Sequence, residues 1–187
     1  WAHESKPEAS TANKSEYWAR GKVLGGSTSI NGMMYVRGMP ADFDAIAETS
    51  SEDWSWEHIG AAYKALESHE LGAAETRGDN GPIKITLPTF RDELSEAQIA
   101  AGHALGWASK RDMNEPDDAV AIGYAPRTVH NRKRQSAAVA FLRPAMQRSN
   151  LTVLTDATVD KVLFEGTKAA GVEVIRSGTH ETYRARE

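Results

Sequence analysis

RGKVLGGSTSINGMMYVRG, residues Arg20–Gly38, is the stretch whose reading decides the fold. A basic start leads into Val23-Leu24, then a glycine pair, then three small hydroxyl residues, then an apolar run interrupted by Asn31-Gly32. Gly25 and Gly26 have no Cβ, so the backbone there can turn tightly and approach a ligand closely. Ser27, Thr28 and Ser29 are good N-cap residues, which predicts a helix over Ser27–Val36. A helix start offers unpaired N–H groups and a partial positive charge to a phosphate or an electron-rich ring edge. The stretch therefore reads as a cofactor-cradling turn entering a helix, with an ordinary serine-capped glycine turn as the alternative.

Composition bounds what surrounds this turn. The chain has 187 residues, 40% of them hydrophobic, enough for one compact domain or for parts of two. A formal net charge of −4 argues against nucleic acid as a partner. Arg132-Lys133-Arg134 is a short basic cluster beside a turn and reads as a solvated loop or as holding a structural arginine. The sequence has no cysteine, which excludes disulfides, thiolate metal sites and any cysteine-linked cofactor within it. That composition is compatible with a cytoplasmic location, the expectation adopted. No apolar run reaches membrane-spanning length, and WAHESKPEAS at the N-terminus lacks the zones of a signal peptide.

Periodicity and punctuation give the order of elements. Residues 1–19 read as extended or irregular. Pro40 suits the first turn of a short helix over Ala41–Glu48. Ile59, Ala62, Tyr63 and Leu66 form a helical stripe within Trp56–Glu70, capped by Ser55. Trp54 and Trp56 are expected to anchor that helix rather than to stack on a ligand. A polar loop over Leu71–Gly81 precedes a strand at Pro82–Leu87. Thr89 with Asp92 reads as a capping box for a helix over about 90–105. The Asp/Asn/Pro-rich run Asp112–Ala121 is a loop, and Ile122–Val129 a strand. Ser136–Gln147 is helical up to an interruption at Pro144. Leu151–Leu154, Thr158–Phe164, Gly171–Arg176 and Glu181–Arg184 read as strands, with turns at Glu165-Gly166 and Ser177-Gly178.

The Arg20–Gly38 stretch resembles the flavin-attachment loop of the glucose–methanol–choline (GMC) oxidoreductases, whose signature runs basic-x-aliphatic-Gly-Gly-small-small-x-aliphatic-Asn. The MMYVRG that follows is similar to the choline-dehydrogenase-like and alcohol-dehydrogenase-like bacterial branch. The likeness extends over nearly the whole chain. DWSWEHIGAAYKALESHE (53–70), GDNGPIKI (78–85), DMNEP (112–116), RQSAAVAFLRPAMQRSNLTVLTDATVDKVLFEG (134–166) and AAGVEVIRSG (169–178) follow in the family's order. The resemblance implies α/β plus α+β: part of an FAD-binding, Rossmann-like domain with part of an antiparallel-sheet substrate domain. Residues 1–70 and 136–187 would belong to the FAD domain, and 71–135 to the substrate domain. The family's N-terminal GxGxxG unit and its downstream catalytic histidine have no counterpart here, so an internal section of a longer protein is expected.

What the resemblance implies about the site is specific. Gly25, Ser27, Asn31, Gly32 and Met34 correspond to cofactor-contacting positions. Asn31 would face the isoalloxazine ring, against the plainer role of local backbone capping. Met34 would contribute backbone only, with a core methionine as its rival. Ile30 stands where some relatives carry a histidine bonded to the flavin, which implies non-covalent FAD. Val159 matches a valine whose main chain touches the adenine; a strand backbone can read it, and a plain strand residue is compatible. Arg20 is either near the phosphates or in a surface ion pair. Asp112 and Asn114 resemble the family's D-x-N loop and are expected to form a turn. The histidines His3, His58, His69, His103, His130 and His180 show no ligand spacing, and no catalytic or metal-binding residue is assigned. The implied activity is oxidation of a small-molecule alcohol, choline or another primary alcohol, by hydride transfer to flavin N5, with oxygen or another electron acceptor. A flavin-dependent lyase or photodecarboxylase on the same scaffold, or a non-catalytic fragment, is the alternative.

Overall fold

A computed structural model of the chain describes residues 1–117 and 119–185; Asp118, in the expected Asp112–Ala121 loop, lies outside the described residues. The chain divides into two compact units, Trp1–Pro144 and Ala145–Glu187. Helices and strands are mixed along it, as an α/β plus α+β section requires.

In the first unit, β1 (Ala2–Glu4) pairs antiparallel with β2 (Tyr17–Ala19). The Gly-Gly turn follows. It does not lead into a helix. One 3₁₀ turn forms over Gly26–Ser29, and Ile30 then leaves helical geometry at φ −128. Met33 sits at φ 61, a further break. From there Met34–Arg37 is extended: Tyr35 and Arg37 turn toward protein while Met34 and Val36 are 62% and 67% exposed. That is a period of two, and MMYVRG is a strand-like segment rather than the helical one its apolar run suggests. Its backbone pairs with 126–128, through Tyr35 N–H to Pro126 O at 2.8 Å and Thr128 N–H to Met33 O at 2.8 Å. Arg127 in turn exchanges hydrogen bonds with Thr86 on its other side.

The next two helices follow their sequence signals. Helix α1 spans Pro40–Thr49 with proline in its first turn. Helix α2 spans Trp56–Leu66, preceded by Ser55, and ends before Glu67 rather than continuing to Glu70. Phe43, Trp56 and Tyr63 form an aromatic cluster with ring centroids 6.0–6.3 Å apart, which ties α2 to α1. Trp56 is the anchor; Trp54 is 49% exposed. After α2 the chain becomes β3 (Glu67–His69), parallel to β4 (Ile83–Ile85). Ile85 is 1% exposed and forms the centre of the apolar packing.

Helix α3 runs Glu93–Ala104, and its cap is Asp92, whose carboxylate accepts from Ser95 N–H at 2.9 Å. Thr89 is too far upstream to serve. Short strands complete the unit: β5 (Ala108–Ser109) parallel to β6 (Ala121–Ile122), and a hairpin of β7 (Val129–His130) with β8 (Lys133–Arg134). The expected strand Ile122–Val129 is regular only at its ends. Ser136–Gln147 is helical but wound as a π turn over Ala138–Leu142. Pro144 has no N–H for the carbonyl four residues back, and the wider turn accommodates that loss.

In the second unit, β9 (Ala157–Glu165), β10 (Lys168–Arg176) and β11 (Thr179–Arg184) form an antiparallel meander. The turns fall where the sequence places them. Gly166 has φ 63, and Ser177 and Gly178 have φ 48 and 80, the double positive φ of a tight hairpin. Two bulges in the β9–β10 ladder, at Ala170 and Asp160, increase its twist. Leu151–Leu154 is irregular rather than a strand.

Candidate functional site

Residues Gly21–Asn31 make a tight loop that spends its side-chain oxygens on itself. Thr28 Oγ1 donates to Gly25 O at 2.5 Å, and Ser29 Oγ donates to Leu24 O at 2.8 Å. Ser27 Oγ accepts from Gly21 N–H at 3.2 Å. None of these hydroxyls caps the N–H groups ahead of it, so the expected serine N-caps are instead backward braces. Gly25 lies at φ 90, and a Cβ there would stand 2.5 Å from Ser29 Oγ and 3.1 Å from Ala138 N. Only glycine fits. Gly26 lies at φ 56, yet a Cβ on it or on Gly32 would meet nothing within 4 Å. The loop thus packs tightly on one side and presents bare backbone on the other.

That open side has apolar neighbours. Val23, Leu24, Ile30, Met34 and Val36 are 44–67% exposed along this one segment. Exposed backbone flanked by clustered apolar side chains suits the edge of an aromatic or apolar ligand. Asn31 is exposed, and its Oδ1 accepts from Met33 N–H at 3.1 Å and from Arg134 Nη1 at 2.7 Å. Arg134 also donates to Asn31 O and Thr28 O, and Ala137 N–H donates to Thr28 Oγ1 at 2.9 Å. Among the described residues Arg20 forms no ion pair; its guanidinium lies 4.9 Å from the centre of the Trp18 ring.

Gly25, Ser27, Asn31, Gly32 and Met34 therefore lie along one continuous segment of the first unit. Val159 belongs to the second unit, on β9, 55% exposed and opposite Val174. The loop residues fit a flavin nucleotide on three counts: a turn at Gly25 closed to any Cβ, open backbone at Gly26 and Gly32, and an asparagine whose oxygen is already used.

Behind the loop lies a buried polar network that the sequence reading missed. Arg37 pairs with Glu67, and their side chains are 3% and 1% exposed. Arg37 also donates to Thr76 O at 2.8 Å and lies 5.2 Å from the Tyr63 ring centre. Glu67 Oε1 additionally accepts from Gly78 N–H at 2.8 Å. Asn114 holds the same segment by accepting from Arg37 N–H at 2.9 Å and donating to Tyr35 O at 3.0 Å. Asp112 forms the expected Asx turn with Asn114 N–H and also binds Arg77 at 3.1 Å. Burial pushes the Tyr35 hydroxyl up to about 12, so it stays protonated. Burial also works against the charge of Arg37, but its bonds to Glu67 and Tyr35 outweigh that and hold its proton more firmly.

His69, expected on a helix, is on β3 and buried. Its Nδ1 accepts from Leu71 N–H at 3.2 Å, which leaves the proton on Nε2, 3.7 Å from Asp112 Oδ2. Desolvation lowers its pKa; Asp112, Glu67 and Glu70 push the other way, and Arg77 assists the lowering. A histidine with a depressed folded-state pKa stabilises fully above the usual value of 6.5 and loses that contribution as pH falls through the folded pKa. The urea midpoint of the protein should therefore drop between about pH 7.5 and pH 5, and less so in His69→Gln. Equal slopes in the two proteins would contradict this.

In the second unit, Asp160, Glu173 and His180 bring ligand-type atoms within 4.8 Å of one another. Glu173 is engaged by Lys161 at 3.2 Å and by His180 at 3.1 Å, which makes the group a surface ion-pair array. Among the described residues no helix is long and apolar enough to cross a membrane.

Comparison with known proteins agrees with the fold. The sequence profile described as GMC oxidoreductase matches residues 6–187. The chain is 35% identical over 188 residues to the human protein named choline dehydrogenase, mitochondrial, covering 100% of this chain and 32% of that one. It is 37% identical over 186 residues to the oxygen-dependent choline dehydrogenase of Brucella ovis, covering 100% of this chain and 34% of the relative. The crystal structure of pyridoxine 4-oxidase from Mesorbium loti superposes with a TM-score of 0.90 at 31% identity, covering 98% of this chain and 36% of that one. The chain thus spans about a third of the length of the relatives it matches.

Proposed function

The chain belongs to the GMC oxidoreductase family of FAD-dependent enzymes, and on that premise we propose that it is the flavin-cradling section of an FAD-dependent alcohol oxidoreductase. The observation that carries this reading is the Gly25–Asn31 loop, closed to side chains on one face and bare on the other. The substrate class is a small primary alcohol, choline among the candidates, because proteins named choline dehydrogenase match the whole chain. Residues 1–70 and 136–187 serve the FAD domain, and 71–135 the substrate domain.

Gly25, Ser27, Asn31, Gly32 and Met34 would hold the cofactor, Gly26 and Gly32 offering open backbone and Asn31 an amide donor. Val159 would offer its main chain to the adenine. FAD supplies the hydride acceptor, flavin N5, when bound. The loop's own part is to fix its backbone dipoles beforehand, so that no reorganisation is needed when the alcohol is oxidised. Apolar residues Ile30, Met34 and Val36 would exclude water. No residue of this chain is assigned as the base that takes the hydroxyl proton. Electrons would pass on to oxygen or another acceptor, and the cytoplasmic location belongs to the same proposal.

Anaerobic addition of primary alcohols to the full-length protein tests this reading. Choline or a related alcohol should bleach the flavin absorption, with colour returning on admission of oxygen or a dye. Flavin that no alcohol of a broad panel reduces would overturn the activity. The link to the cofactor has its own test. Ile30 offers no nucleophile and the sequence has no cysteine, so acid or heat denaturation should release the FAD; flavin fluorescence retained on the denatured polypeptide would contradict a non-covalent site.

A further inference from the structure

We propose that Arg134 is a positioning residue that sets both the shape of the flavin loop and the direction in which the Asn31 amide faces. The inference rests on the cofactor reading of the loop. Arg134 is remote in sequence and sits on β8, in the basic cluster that the sequence reads as a solvated loop or as holding a structural arginine. In the structure one guanidinium nitrogen, Nη1, lies 2.8 Å from Asn31 O, 2.7 Å from Asn31 Oδ1 and 3.2 Å from Thr28 O. One carbonyl of the 3₁₀ turn and both oxygens of Asn31 just beyond it are thereby drawn to one cation.

The consequence for Asn31 follows from its inventory of atoms. Its Oδ1 has two lone pairs, and both are engaged, by Arg134 and by Met33 N–H at 3.1 Å. Two donors converging on that atom fix the amide the right way round, with oxygen inward. Nδ2 is left with two N–H donors and no protein acceptor among the described residues. Asn31 therefore presents donors, not an acceptor, to whatever lies against the loop, which matches the carbonyl and ring-nitrogen acceptors at a flavin's edge. Three residues beyond Arg134, Ala137 N–H braces the same turn through Thr28 Oγ1 at 2.9 Å. Without Arg134 the amide could flip or the turn could open.

All three contacts come from a single nitrogen, and this makes the proposal testable by rescue. Nη1 carries two hydrogens, so one of them is shared between two of the three acceptors; a lysine ammonium places three donors on one nitrogen, although on a shorter stem. The experiment uses the full-length protein with Arg134→Met, Arg134→Lys, Asn31→Ala and the double variant Asn31→Ala/Arg134→Met. In flavin-free protein, Arg134→Met should speed hydrogen exchange at Ile30, Asn31 and Met33 about tenfold or more. Titration with FAD should show roughly 10–100-fold weaker binding and a shifted visible band. Arg134→Lys should recover a large part of both. Because part of Arg134's effect runs through the Asn31 amide, the loss in the double variant should be clearly smaller than the sum of the two single losses. Unchanged loop exchange in Arg134→Met, or fully additive losses in the double variant, would overturn the positioning role. An Asn31→Ala protein with unaltered FAD affinity and band would instead remove the cofactor reading on which the inference stands, a result distinguishable because the exchange readout needs no flavin.

Discussion

Gly25→Val is expected to strip the flavin from the full-length protein and to lower its stability by about 2–3 kcal/mol. Two causes act together. Gly25 has φ 90, a conformation that a β-branched residue resists. Its Cβ would also enter the space held by Ser29 Oγ at 2.5 Å and the Ala138 backbone at 3.1 Å. Relief requires moving Ser29 off Leu24 O or pushing the loop away from the π turn at Ala138–Leu142. Either displacement shifts the carbonyls and N–H groups offered to the cofactor. Gly26 provides the internal comparison. It has φ 56 and a Cβ there meets no protein atom within 4 Å, so Gly26→Ala costs backbone strain, about 1 kcal/mol, without a collision inside the protein, and affects the flavin only through a methyl on the face offered to it. Flavin absorbance per protein, read beside circular dichroism, checks the pair. A folded Gly25→Val protein with full flavin occupancy would remove this turn from the cofactor site.

The second large effect concerns the network behind the loop. Glu67→Ala should destabilise the protein by about 3–5 kcal/mol, because it leaves the Arg37 guanidinium buried without its carboxylate. The Gly78 N–H loses its acceptor as well. The double variant Arg37→Met/Glu67→Met should regain most of that loss, since removing both charges removes the penalty of an uncompensated ion. Urea denaturation of the two variants decides the matter. A single variant within about 1 kcal/mol of the parent would mean that the pair is not buried as described.

The network also explains which parts of the site were legible from sequence. Gly25-Gly26, Asn31 and the apolar run around them stand out because glycine and asparagine carry local backbone information. The helices at Pro40–Thr49, Trp56–Leu66 and Glu93–Ala104 follow from proline, caps and a 3.6-residue stripe. The meander of β9–β11 follows from alternation and from Gly166 and Ser177-Gly178. The partners of Arg37, Glu67, His69 and Arg134 were not legible, because they lie from about 30 to more than 100 residues away; for Arg134 the sequence offered only a structural arginine within its cluster. A charged residue read alone is assigned to solvent. The available signal was positional: Tyr35 and Arg37, like Glu67 and His69, are two residues apart in short extended segments, so each pair shares one face. The helix expected over Ser27–Val36 failed for a related reason. Thr28 and Ser29 satisfy carbonyls behind them, Ser27 accepts from Gly21 N–H, and Met34–Arg37 finds strand partners at 126–128 instead. Tertiary pairing overrode a local cap signal.

Hydrogen exchange of the full-length protein with and without bound FAD tests the central claim most directly. Amides of Gly25–Met34 should become strongly protected when FAD fills the site, while the β9–β11 turns at Gly166 and Ser177-Gly178 should be unchanged. Stoichiometric FAD binding that leaves the exchange of Gly25–Met34 unaltered would contradict the assignment of this loop to the cofactor.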